Sequence, residues 1–294
     1  MHSIEIRNYA IASAISNWRE RVKIMPSSHA RIYWDKEFNW QEYAKLYEEY
    51  CSTPENYYRL TARAILNQLS IRDDQTIVDA ACGTGIITEE IFRTKSPRII
   101  GIDASEQALA KYDSKFNGHS KIKPIRGNLE SIDSLLSIPV DQVIVASALW
   151  NFKWPEFLAK TTRVLKNDGV LAFNIPAAYL GEKNGFLYEI AQAFEKETTA
   201  RQKLFSIEER ALENALKCAN FGNLEKHAYQ FTMSLDSLKH LFAVYRLRVP
   251  FIFFNNDIPL DDRQAISDRV LNRLLEQWSS GHTETGYVYL CKRK

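Results

Sequence analysis

Between residues 76 and 103 the chain passes through an apolar strand, a turn with two glycines, a helix and a second strand that ends on a carboxylate. The order is Thr76–Ala80, the turn through Gly83 and Gly85, Ile86–Phe92, and Arg98–Asp103. Two strands joined this way lie parallel, with the intervening helix crossing over one face of the sheet. The alternation continues with a helix over Glu106–Phe116, strands over 121–126 and 142–148, and a helix over 154–165. Asn167-Asp168-Gly169 then reads as a turn, and a fifth strand over 170–175 is stopped by Pro176. Central strands that are apolar on both faces, such as Val143-Ile144-Val145-Ala146, predict a parallel sheet covered by helices on both sides.

Flanking regions differ in character. Residues 1–60 are rich in aromatics, and Trp40, Tyr43, Tyr47 and Tyr50 recur at the three-and-four spacing of one helix face. That stripe predicts a core-packing face or a helical lid over a ligand crevice. A helix over 60–69 leads into the first strand. Beyond Pro176, helices are predicted over 187–197, 207–219, 235–245 and 261–278, with strands over 224–232 and 286–290. The expected fold is α/β, a doubly wound, mostly parallel seven-stranded Rossmann-like sheet with a helical N-terminal lid and helical insertions near the C-terminus. It divides into 1–60 (lid), 61–176 (ligand-binding core) and 177–294, where insertions over 177–205 and 234–280 cover the crevice.

Charge and composition narrow the partners. Lys and Arg total 38 against 36 Asp and Glu, so no basic excess marks a nucleic-acid binder. No apolar run approaches the ~18 residues of a membrane span, and the first residues are too polar for a secretory signal. Cys51, Cys82, Cys218 and Cys291 form no metal-ligand spacing and are expected as reduced, buried thiols. The expectation is a cytoplasmic monomer or homodimer without a metal.

The turn carries the chemistry. Asp79-Ala80-Ala81-Cys82-Gly83-Thr84-Gly85 lets a ligand approach the backbone closely and offers amides at a helix start. A nicotinamide dinucleotide site wants a third glycine, and here Ile86, Ile87 and Thr88 follow Gly85 instead. Asp79 at the strand end suits a cationic or amine-bearing ligand. Asp103 has the spacing from this turn at which a carboxylate takes ribose hydroxyls, with helix capping as the alternative role.

These residues make the chain resemble the class I S-adenosylmethionine-dependent methyltransferases. The family's first motif matches Asp79, Ala81, Gly83 and Gly85, and its ribose contact matches Asp103, with Ala104 beside the adenine. The third motif falls on Arg126-Gly127-Asn128-Leu129, with Asn128 where the family usually has an acid and Leu129 offering its backbone. Ser147, at the tip of the fourth strand, falls where the family closes the cofactor site. The resemblance implies S-adenosylmethionine as cofactor and in-line methyl transfer, and it covers about 60–176 well.

The acceptor is set elsewhere. Ser147-Ala148-Leu149-Trp150 lacks the Asn/Asp-Pro-Pro-aromatic motif of methyltransferases acting on adenine or glutamine amides. The match is instead to enzymes that methylate O, N or C of small metabolites and natural products. Tyr43, Tyr47, Trp150, Phe152 and Tyr179 are the candidate acceptor contacts, suited to an aromatic or hydrophobic molecule. His29 is the first candidate for a general base, with His227 and His240 behind it; Arg31 is a candidate for an acceptor carboxylate. Two alternatives stay open: a macromolecular acceptor (peptide, protein or RNA), and a non-catalytic S-adenosylmethionine-binding partner protein.

Overall fold

The computed structural model describes residues 39–197, 206–252, 254 and 258–294. His29, Arg31, the aromatics before Asn39 and the end of the 177–205 insertion lie outside the described residues.

Seven strands form one sheet in the order β3-β2-β1-β4-β5-β7-β6. They are β1 (Thr76–Ala80), β2 (Arg98–Asp103), β3 (Ile122–Arg126), β4 (Val140–Val145), β5 (Leu165–Pro176), β6 (Phe221–Met233) and β7 (His282–Arg293). The first five are parallel, and β7 inserts antiparallel between β5 and β6. Side chains alternate across this sheet as the pleat requires. Ile77, Ile99, Ile144 and Ala172 fill one face, while Val78, Ile100, Val143 and Leu171 fill the other. Both faces are dry because helices cover them: α2 (Tyr57–Leu66) and α3 (Ile86–Phe92) on the first, α6 (Trp154–Val164) and α8 (Glu209–Cys218) on the second. Helices α4 (Glu106–Phe116) and α5 (Ile132–Leu135) complete the crossovers.

A further core lies beyond the strands' carboxyl ends. It joins α1 (Trp40–Ser52), the start of α2, α7 (Phe186–Glu197), α9 (Leu235–Ile252) and α10 (Leu260–Gln277) through Tyr50, Tyr57, Phe186, Phe194, Leu241, Phe242, Leu271 and Trp278. Topology places this layer. The carboxyl ends of β5 and β6 and the amino end of β7 share one edge of the sheet, and α7, α9 and α10 leave from or return to that edge.

Several local expectations shift. Helix α2 starts at Tyr57 rather than 60 because Asn56 caps it, its Oδ1 accepting from Arg59 N at 2.8 Å. The Asn167-Asp168-Gly169 turn is absorbed into β5 as an irregularity in its ladder with β4: Leu165 faces Val140, Val170 faces Gln142, and Asp168 has φ +61°. Strands β6 and β7 outrun their predicted lengths because they pair with each other along most of both. On β6 one edge faces solvent, which blurs its apolar alternation. Cys218 is exposed, whereas Cys51, Cys82 and Cys291 are buried. Leu212 and Leu216 turn the inner face of α8 to the core, and a residue two beyond Leu216 falls on the opposite side. Among the described residues, no helix is long and apolar enough to cross a membrane.

Candidate functional site

Backbone strain marks the crevice. Ala81 (φ +58°) and Ser147 (φ +52°), at the carboxyl ends of the adjacent strands β1 and β4, hold a conformation that costs an L residue energy. Such outliers concentrate where a fold builds function. Gly83 (φ +53°) and Gly85 (φ +89°) complete the turn. The two glycines serve different ends. A Cβ on Gly85 would meet Phe116 at 2.5 Å and Tyr112 at 2.9 Å, so this glycine lets α4 close on the turn. A Cβ on Gly83 would meet nothing within 4 Å, so the space before it is open to a ligand.

Asp103 ties this turn to β2. One carboxylate oxygen accepts from Gly83 N at 2.9 Å, the other from Ser105 N at 2.8 Å. The capping role falls to Ser105, whose Oγ accepts from Ala108 N at 3.2 Å. Ala104 and Asn128 are exposed beside it, Leu129 is buried, and Gly127 N donates to the Asp103 carbonyl at 3.0 Å. Ends of β1, β2 and β3 therefore form one rim carrying an open turn and a carboxylate.

Asp79 is engaged from within the protein. It is buried beneath the turn, and its Oδ2 accepts from Thr88 Oγ1 at 2.8 Å and Thr88 N at 3.2 Å. Thr88 Oγ1 lies 2.9 Å from the Tyr112 hydroxyl, extending the brace to α4. Burial pushes the carboxyl up to about 7, with the Thr88 bonds opposing that and the Asp103 charge adding to it. Ser147 donates its backbone N–H to Asn174 Oδ1 at 2.7 Å, while its own buried hydroxyl has no partner.

The aromatic candidates fall into two groups. Tyr43 and Tyr47 stack at 5.8 Å on one face of α1, and Tyr47 meets Tyr58 at 5.5 Å. Trp150 packs edge-on to Tyr179 at 4.9 Å. Arg248 of α9 joins the groups: its guanidinium is 5.8 Å from the Tyr43 ring centre and within electrostatic reach of Tyr58, Tyr179 and Tyr245. Phe152 instead packs on Phe157 of α6 at 5.1 Å. Burial pushes the Tyr47 and Tyr58 phenols up, so both stay protonated. His227, near Glu225, and His240, bonded to the Asp236 carbonyl, are both on the surface.

Glu284 on β7 had no signal in sequence. It is fully buried, with Oε2 accepting from Phe186 N at 2.9 Å and Leu187 N–H also donating, so it caps α7. Its Oε1 has no partner. Burial pushes the carboxyl up to about 8 against those two amide bonds. A carboxyl that stays protonated in the fold but ionises near 4.5 when unfolded destabilises the fold as pH rises between those values. Glu284→Gln, which keeps an acceptor without the charge, therefore gains on wild type by up to about 1 kcal/mol per pH unit from about pH 5 to pH 8. Urea denaturation across that range reads the difference. Parallel stability curves for the two proteins would contradict it.

Residues 77–169 match the model of a family described as methyltransferase domain. Among solved structures, the cyclopropane synthase MmaA2 from Mycobacterium tuberculosis is similar over 86% of this chain and 94% of its own, at 14% identity and TM-score 0.54. The YcgJ protein from Bacillus subtilis is similar over 80% of this chain and 98% of its own, at 15% identity and TM-score 0.52. A phosphoethanolamine N-methyltransferase 2 from Haemonchus contortus is similar over 92% of this chain, at 13% identity and TM-score 0.52, and this chain spans 58% of its length. A second structure of that nematode enzyme is spanned over 52%. At these identities the likeness is one of fold.

Proposed function

We propose that this chain, a class I S-adenosylmethionine-dependent methyltransferase by its methyltransferase domain and sheet order, methylates an O, N or C nucleophile of a small aromatic or hydrophobic metabolite. One observation carries the acceptor half of that reading. The layer over the carboxyl edge of the sheet gathers Tyr43, Tyr47 and Tyr58 around one guanidinium, with Trp150 packed on Tyr179, which lies within that guanidinium's electrostatic reach. Rings so placed suit a planar guest.

Residues of the rim fit the cofactor. The open space at Gly83 and the turn through Ala81 and Gly85 admit its chain, Asp103 takes the ribose hydroxyls, and Ala104, Asn128 and Leu129 flank the adenine. Asp79 acts from below by holding the turn through Thr88, and Ser147 brings an unpartnered hydroxyl to the rim. When bound, S-adenosylmethionine supplies a methyl group already attached to a positively charged sulfur, so the electrophile needs no activation.

The chain's main task is then to hold the acceptor in line. Orientation alone is worth roughly 7–11 kcal/mol of a barrier of this kind. Tyr43, Tyr47, Trp150 and Tyr179 serve that purpose, with Phe152 supporting from the α6 side. Proton removal is required only of an acceptor that attacks after losing one; His29 is the residue proposed for it. In this reading 1–60 is the lid, 61–176 the cofactor core and 177–294 the remainder with its acceptor-covering helices. The shared core of α1, α2, α7, α9 and α10 supports it.

The test is to incubate the protein with methyl-labelled S-adenosylmethionine and a cell extract split by size, then follow label by mass spectrometry. Label is expected in the small-molecule fraction. Label confined to protein or RNA would refute the small-molecule assignment, and tight cofactor binding without transfer would favour a binding protein.

A further inference from the structure

Helix α9 carries Pro250 near its end. A proline there has no N–H for the carbonyl four residues back, so the Arg246 carbonyl is left open. Gln264 Nε2 of α10 donates to it at 3.2 Å, and Arg263 Nη1 donates to the Pro250 carbonyl at 3.1 Å. Arg248 lies between these two points, on a helix segment held from α10 at both ends.

Its side chain is partly buried among rings. The guanidinium stands over Tyr43, with Tyr58, Tyr245 and Tyr179 within electrostatic reach. Sheltering a guanidinium is costly without a counter-charge or a full set of acceptors. Arg59, a buried arginine on α2, has both Glu89 and Glu90. Among the described residues, no carboxylate pairs with Arg248. Glu284, whose field also reaches Tyr179 and Tyr245, spends its carboxyl on the α7 amides. Tyrosine rings favour a cation over their faces but leave its in-plane N–H donors unused.

We propose that Arg248 is the anion-recognising residue of the acceptor site, and that the acceptor is a planar molecule bearing a carboxylate or a phosphate. The forked donors of Arg248 take two oxygens of that group while Tyr43, Tyr58 and Tyr179 contact the ring. A guanidinium suits either oxyanion because both present two coplanar acceptor oxygens. The assignment of this anion to a methyl acceptor rests on the transfer reading above; the anion site itself does not.

Three probes of like shape decide it: benzoate, phenyl phosphate and neutral benzamide, titrated by calorimetry with and without saturating S-adenosylhomocysteine. Wild type is expected to bind one of the anions at least about tenfold more tightly than benzamide, since charge-assisted bonds are roughly twice as strong as neutral ones. Which anion wins separates carboxylate from phosphate. Arg248→Gln is expected to erase the preference and Arg248→Lys to retain part of it, with S-adenosylhomocysteine affinity changed less than about twofold in both. Equal binding of benzamide by wild type, no binding of any probe, or a preference that survives Arg248→Gln would each overturn the proposal. Should Arg248→Gln fail to fold, wild type and Arg248→Lys still decide. Failure of wild type to bind S-adenosylhomocysteine strikes instead at the methyl-transfer reading, since the anion preference is also measured without it.

Discussion

Replacing Asp103 with alanine is expected to lower affinity for S-adenosylhomocysteine about 100-fold, because two hydrogen bonds to a charged acceptor are lost at roughly 1.5 kcal/mol or more each. Calorimetry on wild type and variant measures it. The carboxylate also accepts from Gly83 N and Ser105 N, so a loss of affinity has two sources: missing ribose contacts and a slackened turn. Comparing adenosine with 2′,3′-dideoxyadenosine separates them. If Asp103 holds the hydroxyls, wild type prefers adenosine strongly and Asp103→Ala shows no preference. A preference that persists at reduced affinity assigns the loss to the turn. Undiminished binding by the variant would refute the ribose assignment outright.

The second large effect is on stability. Glu90 of α3 receives Arg59 Nη1 at 2.5 Å, Arg63 Nε at 2.9 Å and Arg93 Nη1 at 3.0 Å, and the Arg59 and Glu90 side chains are each only 6% exposed. Burial alone would raise the Glu90 carboxyl, but hydrogen bonds from Arg63 and Arg59 overcome it and hold the group below its ordinary range. Glu90→Ala leaves Arg59 sheltered with only Glu89, at 3.2 Å, so a cost of about 3 kcal/mol is expected, the lower end for a broken buried pair. Urea denaturation reads it. The Lys111–Glu48 pair is the contrast: both partners are substantially exposed, and Lys111→Ala should change stability by less than about 1 kcal/mol. Equal costs for the two variants would show that burial does not govern these pairs. Since Glu90 clamps α2 to α3, whose amino end carries the Gly85 turn, Glu90→Ala should also weaken cofactor binding.

How far the site could be foreseen depends on the range of the interactions that build it. The turn through Gly83 and Gly85 is legible because its conformational demand is local: both glycines take positive φ, which glycine does at no steric cost. Asp103 was legible because strand and helix lengths set its spacing. Asp79 is legible as a strand-end carboxylate, but nothing in the order of residues says that it accepts from Thr88, nine positions on. Tyr43, Tyr47, Trp150, Phe152 and Tyr179 read alike as aromatic candidates, and only the fold separates Phe152, which packs on Phe157, from the rings near Arg248.

Periodicity and turn chemistry determined the layered α/β arrangement from sequence alone, since a parallel sheet needs apolar strands, crossover helices and a turn between them. They also determined where the glycine-bearing turn between β1 and α3 lies. Tertiary structure alone decided the register of β6 on β7, the capping of α7 by Glu284, and the seating of Arg248 over Tyr43. Each of these joins segments far apart in the chain. Thr283-Glu284-Thr285 reads as an ordinary polar strand, and Arg248 as one basic residue among many, until folding brings a helix start and a ring of phenols against them. Burial then turns an ordinary charge into a costly one, a change that only the folded arrangement makes.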